Sequence, residues 1–162
     1  MRPIANALLI LLSVLTAGAG TAAAGEAPVS IHDPWIREAP PGVPALAGYL
    51  AIENISAAPV VLLGASSPAF DAIMLHRTET EGGMAKMTHE SQVEVAPQTT
   101  VSFAPGGYHL MLMGPKQPLK TGDQVEISLA FDGGLAVPVS FAVRRGEAED
   151  ATDHAHHMHM QH

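Results

Sequence analysis

Between residues 29 and 143 the chain alternates short apolar and β-branched runs with clusters of Pro, Gly, Asn and Asp, and nowhere sustains a 3.6-residue apolar period. This pattern predicts strands over Val29–Arg37, Tyr49–Glu53, Val60–Ala65, Ala72–Thr78, Met84–Thr88, Thr99–Phe103, His109–Met113, Gln124–Phe131 and Leu135–Val143. Turns are expected at "APPGVP", "ENISAAP", "APGG", "GPKQP", "KTGD" and "DGG", where Gly, Pro and Asn supply the backbone angles a reversal needs. Many short strands at this spacing predict an all-β fold, an antiparallel sandwich or barrel of Greek-key type.

Both ends depart from the pattern. Arg2 is followed by the apolar run "ANALLILLSVLTAGAG" and then by "TAAAG", the charged, apolar and small-residue order of a secretory signal over residues 1–24. The run is short for a bilayer span and closes on an Ala-x-Ala site at Ala22 to Ala24, so cleavage is expected and not a membrane anchor. No cysteine stands near that site to take a lipid. The expectation is a soluble, exported, periplasmic protein whose folded domain spans residues 25–145. Residues 146–162, "GEAEDATDHAHHMHMQH", hold almost nothing to bury and read as a disordered tail.

Composition narrows the function classes. Without Arg2 the 8 Lys and Arg become 7 against 16 Asp and Glu, a net charge of −9 with His neutral. That excludes the clustered basic face that nucleic-acid binding needs. With no cysteine in the chain, neither disulfides nor thiolate ligands are available, and soft-metal chemistry must use methionine.

A candidate constellation meets that condition. His76 is followed after ten residues by Met87, after twenty-one more by His109, and after one more by Met111. Side chains two apart on a strand share a face, so His109 and Met111 can reach one ion together. Singly, each position fits a structural role, because methionine fills cores and histidine is often a satisfied polar residue. Together, two imidazoles and two thioethers form a soft, uncharged donor set. Thioether sulfur favours Cu(I), and the absence of an anionic ligand disfavours a divalent ion.

The spacing resembles the signature of the PCu(A)C family of periplasmic copper chaperones, matched at His76, Met87, His109 and Met111 without a gap. The surrounding "WIREAPPG", "GYLAIEN", "PGGYHLMLMG" and "LKTGD" are similar as well, so the likeness runs from about residue 30 to residue 143. The resemblance implies a cupredoxin-like β-sandwich with Cu(I) held near the surface at one end. It also implies delivery of copper to the binuclear centre of cytochrome c oxidase, either to its subunit II or through a thiol-bearing copper-transfer protein. The chain is then a monomeric carrier and not an enzyme.

Strand parity puts Met74 and Met113 on the same face as the four ligands, and Met84 is the stand-in if Met87 points elsewhere. His32 and His89 lie outside the motif and read as surface residues, His89 with a minor metal role. The tail adds His154, His156, His157, Met158, His159, Met160 and His162, a nitrogen-rich set suited to Cu(II), with a purification tag and unspecific metal scavenging as its plain alternatives. Blue-copper electron transfer requires a Cys thiolate and is excluded. A copper buffer or uptake protein would use the same ligands and is not separated from a delivery chaperone by sequence.

Overall fold

The computed structural model describes residues 27–146; the expected signal at 1–24 and, Gly146 apart, the expected tail lie outside the described residues. Ten strands follow in chain order: β1 (Val29–Arg37), β2 (Ala45–Asn54), β3 (Val60–Ser66), β4 (Ala72–Glu81), β5 (Met84–Glu90), β6 (Val93–Val95), β7 (Thr100–Phe103), β8 (Tyr108–Met113), β9 (Gln124–Phe131) and β10 (Ala136–Arg144). A short 3-10 turn over Asp132–Gly134 joins the last two.

All nine expected strands are present. The tenth, β6, is three residues long, too short to show a period, yet it pairs with β3 and buries Val93 and Val95. Strand β4 runs on through "TETE", whose polar residues give no strand signal; pairing along β5, from Thr78 opposite Met87 to Glu81 opposite Met84, holds them extended.

The strands form one sheet in the order β5-β4-β8-β7-β2-β1-β10-β9-β3-β6, with β8 also pairing to β2. Two contacts depart from the antiparallel expectation: β1 runs parallel to β10, and β7 meets β8 in parallel at Phe103 and Tyr108. An apolar sheet face must be covered, and this sheet covers its own. Ile36, Ile52, Leu110 and Leu112 from one half and Leu62, Ile127, Leu129 and Phe141 from the other are fully buried in a single cluster. The result is the two-layered all-β sandwich that the alternation predicts.

In β8 the alternation decides function. Leu110 and Leu112 face the core and are fully buried, which sends His109, Met111 and Met113 to the outer face. Among the described residues only Asn54 and His109 are buried and polar. The Asn54 amide donates to the carbonyls of Ala58 (2.8 Å) and Val95 (3.0 Å), while its oxygen accepts from the Ser56 N–H and hydroxyl. Asn54 is therefore satisfied by its own turn and by β6, and His109 has a single contact, its Nδ1 with the Gly107 carbonyl.

Candidate metal centre

The hairpin of β4 and β5 sets the geometry. Its loop is the pair Gly82–Gly83, with φ of 59° and 80°, left-handed values that a two-residue type I′ turn requires at both positions. Such a turn twists with the strands and locks their register. Thr78 opposes Met87 and His76 opposes His89. On the other side of β4, β8 pairs His76 with His109, Met74 with Met111 and Ala72 with Met113.

Paired residues share a face, so one outer patch of three adjacent strands carries a row of imidazoles, His89, His76 and His109, flanked by thioethers. Met74 and Met111 lie one step to one side of the row, and Met87 one step to the other. Ring centroids are 5.8 Å apart for His76 and His109 and 5.6 Å for His76 and His89, with each pair near perpendicular. The four motif residues, far apart in the chain, therefore come together on adjoining strands, with Met111 and Met87 diagonal to His76. Met74 and Met113 join the same face, as their parity predicts.

His109 is 7% exposed, and its Nδ1 lies 3.2 Å from the Gly107 carbonyl. With the proton on Nδ1 donated to that oxygen, Nε2 keeps its lone pair for a metal. The same carbonyl accepts the Thr78 N–H at 3.0 Å, so one backbone oxygen ties β4 to the turn before β8 and orients the His109 ring. Nδ1 of His76 is buried and has no hydrogen-bond partner. Burial, and secondarily the neighbouring His109 and His89, hold the His76 pKa below the ordinary imidazole value. A buried nitrogen that is neutral and unpartnered fits a missing electrophile.

The sulfurs differ in access. Met87 is 53% exposed on the edge strand and Met84, beside the turn, is 74% exposed, whereas Met74 and Met111 are partly covered. Among the described residues no three His, Cys, Asp or Glu side chains converge closely enough to hold an ion alone. Thioethers or a side-chain rotation must complete the site.

His89 is the residue that the spacing argument undervalued. It is exposed, as expected, yet it stands in the imidazole row. Recognising "EGGM" as a two-residue turn would have placed it there, because that turn fixes which residue faces His76. His32 on β1, the other histidine outside the motif among the described residues, is 2.8 Å from Glu53 on β2 and away from the patch. The tail residues His154, His156, His157, Met158, His159, Met160 and His162 lie outside the described residues. No helix among the described residues is long and apolar enough to cross a membrane.

Comparison with known proteins bears on the same region. A family model described as "Putative lipoprotein LpqE-like" matches residues 29–143. A putative lipoprotein of Leifsonia xyli subsp. xyli is 32% identical over 117 residues, covering 72% of this chain and 69% of its own length. An uncharacterized protein of Rickettsia prowazekii is 31% identical over 111 residues, 66% of this chain and 61% of that one. The solution structure of Cu(I)-bound DR1885 from Deinococcus radiodurans superposes with a TM-score of 0.62 at 32% identity, over 80% of this chain and 87% of that one. The copper-bound PCuAC domain of PmoF2 shares the fold, with a TM-score of 0.63 at 24% identity over 74% of this chain and 94% of its own.

Proposed function

We propose that this chain, which belongs to the LpqE-like, PCuAC family, is an exported copper carrier that holds Cu(I) through His76, Met87, His109 and Met111 and delivers it to the copper centre of cytochrome c oxidase. The observation that carries the reading is the juxtaposition of His76 and His109, ring centroids 5.8 Å apart, with motif thioethers diagonal to His76 on both sides. The likeness to a structure described as Cu(I)-bound supports the choice of cargo.

The donor set explains how copper can be both kept and released. The two imidazoles hold the ion in place, His109 oriented by the Gly107 carbonyl and His76 partly buried between its neighbours. Thioethers are weaker donors, and Met87 is the one an incoming group meets first, since half of it is open to solvent. An acceptor thiolate or imidazole displaces Met87, then the remaining donors, and the ion passes without becoming free. The tail, with its five histidines, captures Cu(II) outside the domain.

The test is a Cu(I) competition titration of the Met87→Ala, Met111→Ala double variant. Affinity is expected to fall by more than the roughly 10–100-fold that losing a mere orienting neighbour costs; full retained affinity would refute the assignment. Delivery is separated from buffering in a strain lacking the gene: lost oxidase activity at low copper supports delivery, and lost tolerance of high copper with normal respiration refutes it.

A further inference from the structure

We propose that His89 is a further copper-binding residue, completing with His76 and His109 a nitrogen-donor set for Cu(II) on the face whose thioethers serve Cu(I). The inference rests on the reading of His76 and His109 as copper ligands.

The argument starts from register. The Gly82–Gly83 turn places His89 directly opposite His76, while β8 places His109 opposite His76 from the other side. Two imidazoles bound to one ion at about 2.0 Å hold their ring centroids roughly 4.5 Å apart at a right-angled N–metal–N arrangement and roughly 6.4 Å apart in line. The observed 5.6 and 5.8 Å both fall within that window. The spacing of His76 from either neighbour is thus compatible with a shared ion at the observed backbone separation.

The three rings do not converge as they stand. His89 is the ring free to close the set, being exposed on β5, a strand with no neighbour on its far side. His109 is buried and anchored, and His76 is partly buried between the two. An exposed ring at the sheet edge can approach the other two by side-chain rotation.

Chemistry divides the two donor sets by oxidation state. Cu(I) takes soft thioethers, while Cu(II) prefers imidazole nitrogen in a flatter arrangement. A neutral set gives a divalent ion no charge compensation, yet three imidazoles with a water in the fourth position do hold one, as zinc sites built from three histidines show. On β5, Met87 and His89 are two residues apart on one face, so a sulfur donor and a nitrogen donor stand side by side at the open edge. Copper of either charge finds partners there without leaving His76 and His109.

The test uses the full chain with the five tail histidines, His154, His156, His157, His159 and His162, replaced by Ala, with and without His89→Ala. Cu(II) binding is measured by competition and by the nitrogen hyperfine coupling in its EPR spectrum, and Cu(I) binding by competition. The His89→Ala change is expected to weaken Cu(II) at least about tenfold and to remove one coupled nitrogen, while Cu(I) affinity moves less than about threefold. Unchanged Cu(II) affinity and coupling would overturn the proposal, as would Cu(I) and Cu(II) weakening by the same factor. A His89→Gln variant, which keeps the strand polar and exposed, should match His89→Ala; if it binds Cu(II) like the parent, the imidazole is not the ligand. Failure of the parent chain to bind Cu(I) would sink the carrier reading instead, and the Cu(II) comparison would still report on His89.

Discussion

If the loop at residues 82 and 83 sets the metal face, straining that loop should weaken copper binding without touching a ligand. Both glycines have positive φ, and a Cβ built on either meets no atom within 4 Å, so the cost of a substitution is backbone strain and not a clash. In the left-handed region that strain is about 1–2 kcal/mol per residue, and β-branched residues suffer most. Replacing both by Val should cost about 2–4 kcal/mol, borne by the one hairpin that positions Met87 and His89. Its tip is exposed from Glu79 to Met87 and has little packing to resist opening. If all the strain falls on the paired hairpin, the population competent to bind drops by at most roughly 30- to 700-fold. Cu(I) competition titration reads the affinity, and hydrogen exchange at the β5 amides reads the opening. Gly82→Asn is the matched control, because Asn followed by Gly is the favoured type I′ pair and should bind as the parent does. Unchanged β5 exchange and Cu(I) affinity in the double Val variant would refute the idea that this turn fixes the site.

Acid should act through His76. Its lowered pKa means that the folded chain binds fewer protons than the unfolded one between that value and the ordinary imidazole pKa, so folding stability falls as pH drops through this window. Because the His76 ring stays neutral until pH falls below the ordinary imidazole value, copper affinity should stay level through about pH 6.5 and decline only at lower pH, as a titration series would show; a loss of affinity already under way above about pH 6.5 would contradict control by His76. Leu110→Ala, behind His109 on the core side and fully buried in the parent, should cost about 2–5 kcal/mol in a denaturant melt. Removing residues 147–162 should lower the Cu(II) bound per chain by at least about one equivalent, counted by metal analysis, and leave Cu(I) affinity within about threefold.

Much of this was legible along the chain. The period-two alternation of "YHLMLM" identifies β8 as a strand and puts His109, Met111 and Met113 on the face opposite Leu110 and Leu112 before any coordinate is known. The length of β4 and the existence of β6 were not legible, because "TETE" and "VEV" carry too few apolar residues to show a period. Both segments are strands because β5 and β3 offer them hydrogen bonds.

The sequence alone determined nine of the ten strands, the two faces of β8, the absence of thiolate and the restriction of soft donors to imidazole and thioether, since these follow from side-chain chemistry and local periodicity. Only the tertiary structure decided that β4 lies between β5 and β8, that His76 and His109 stand opposite one another, and that His89 stands beside them. Strand order and register are set by one turn's handedness and by burial on the far side of the sheet. Those interactions join residues that spacing along the chain does not relate.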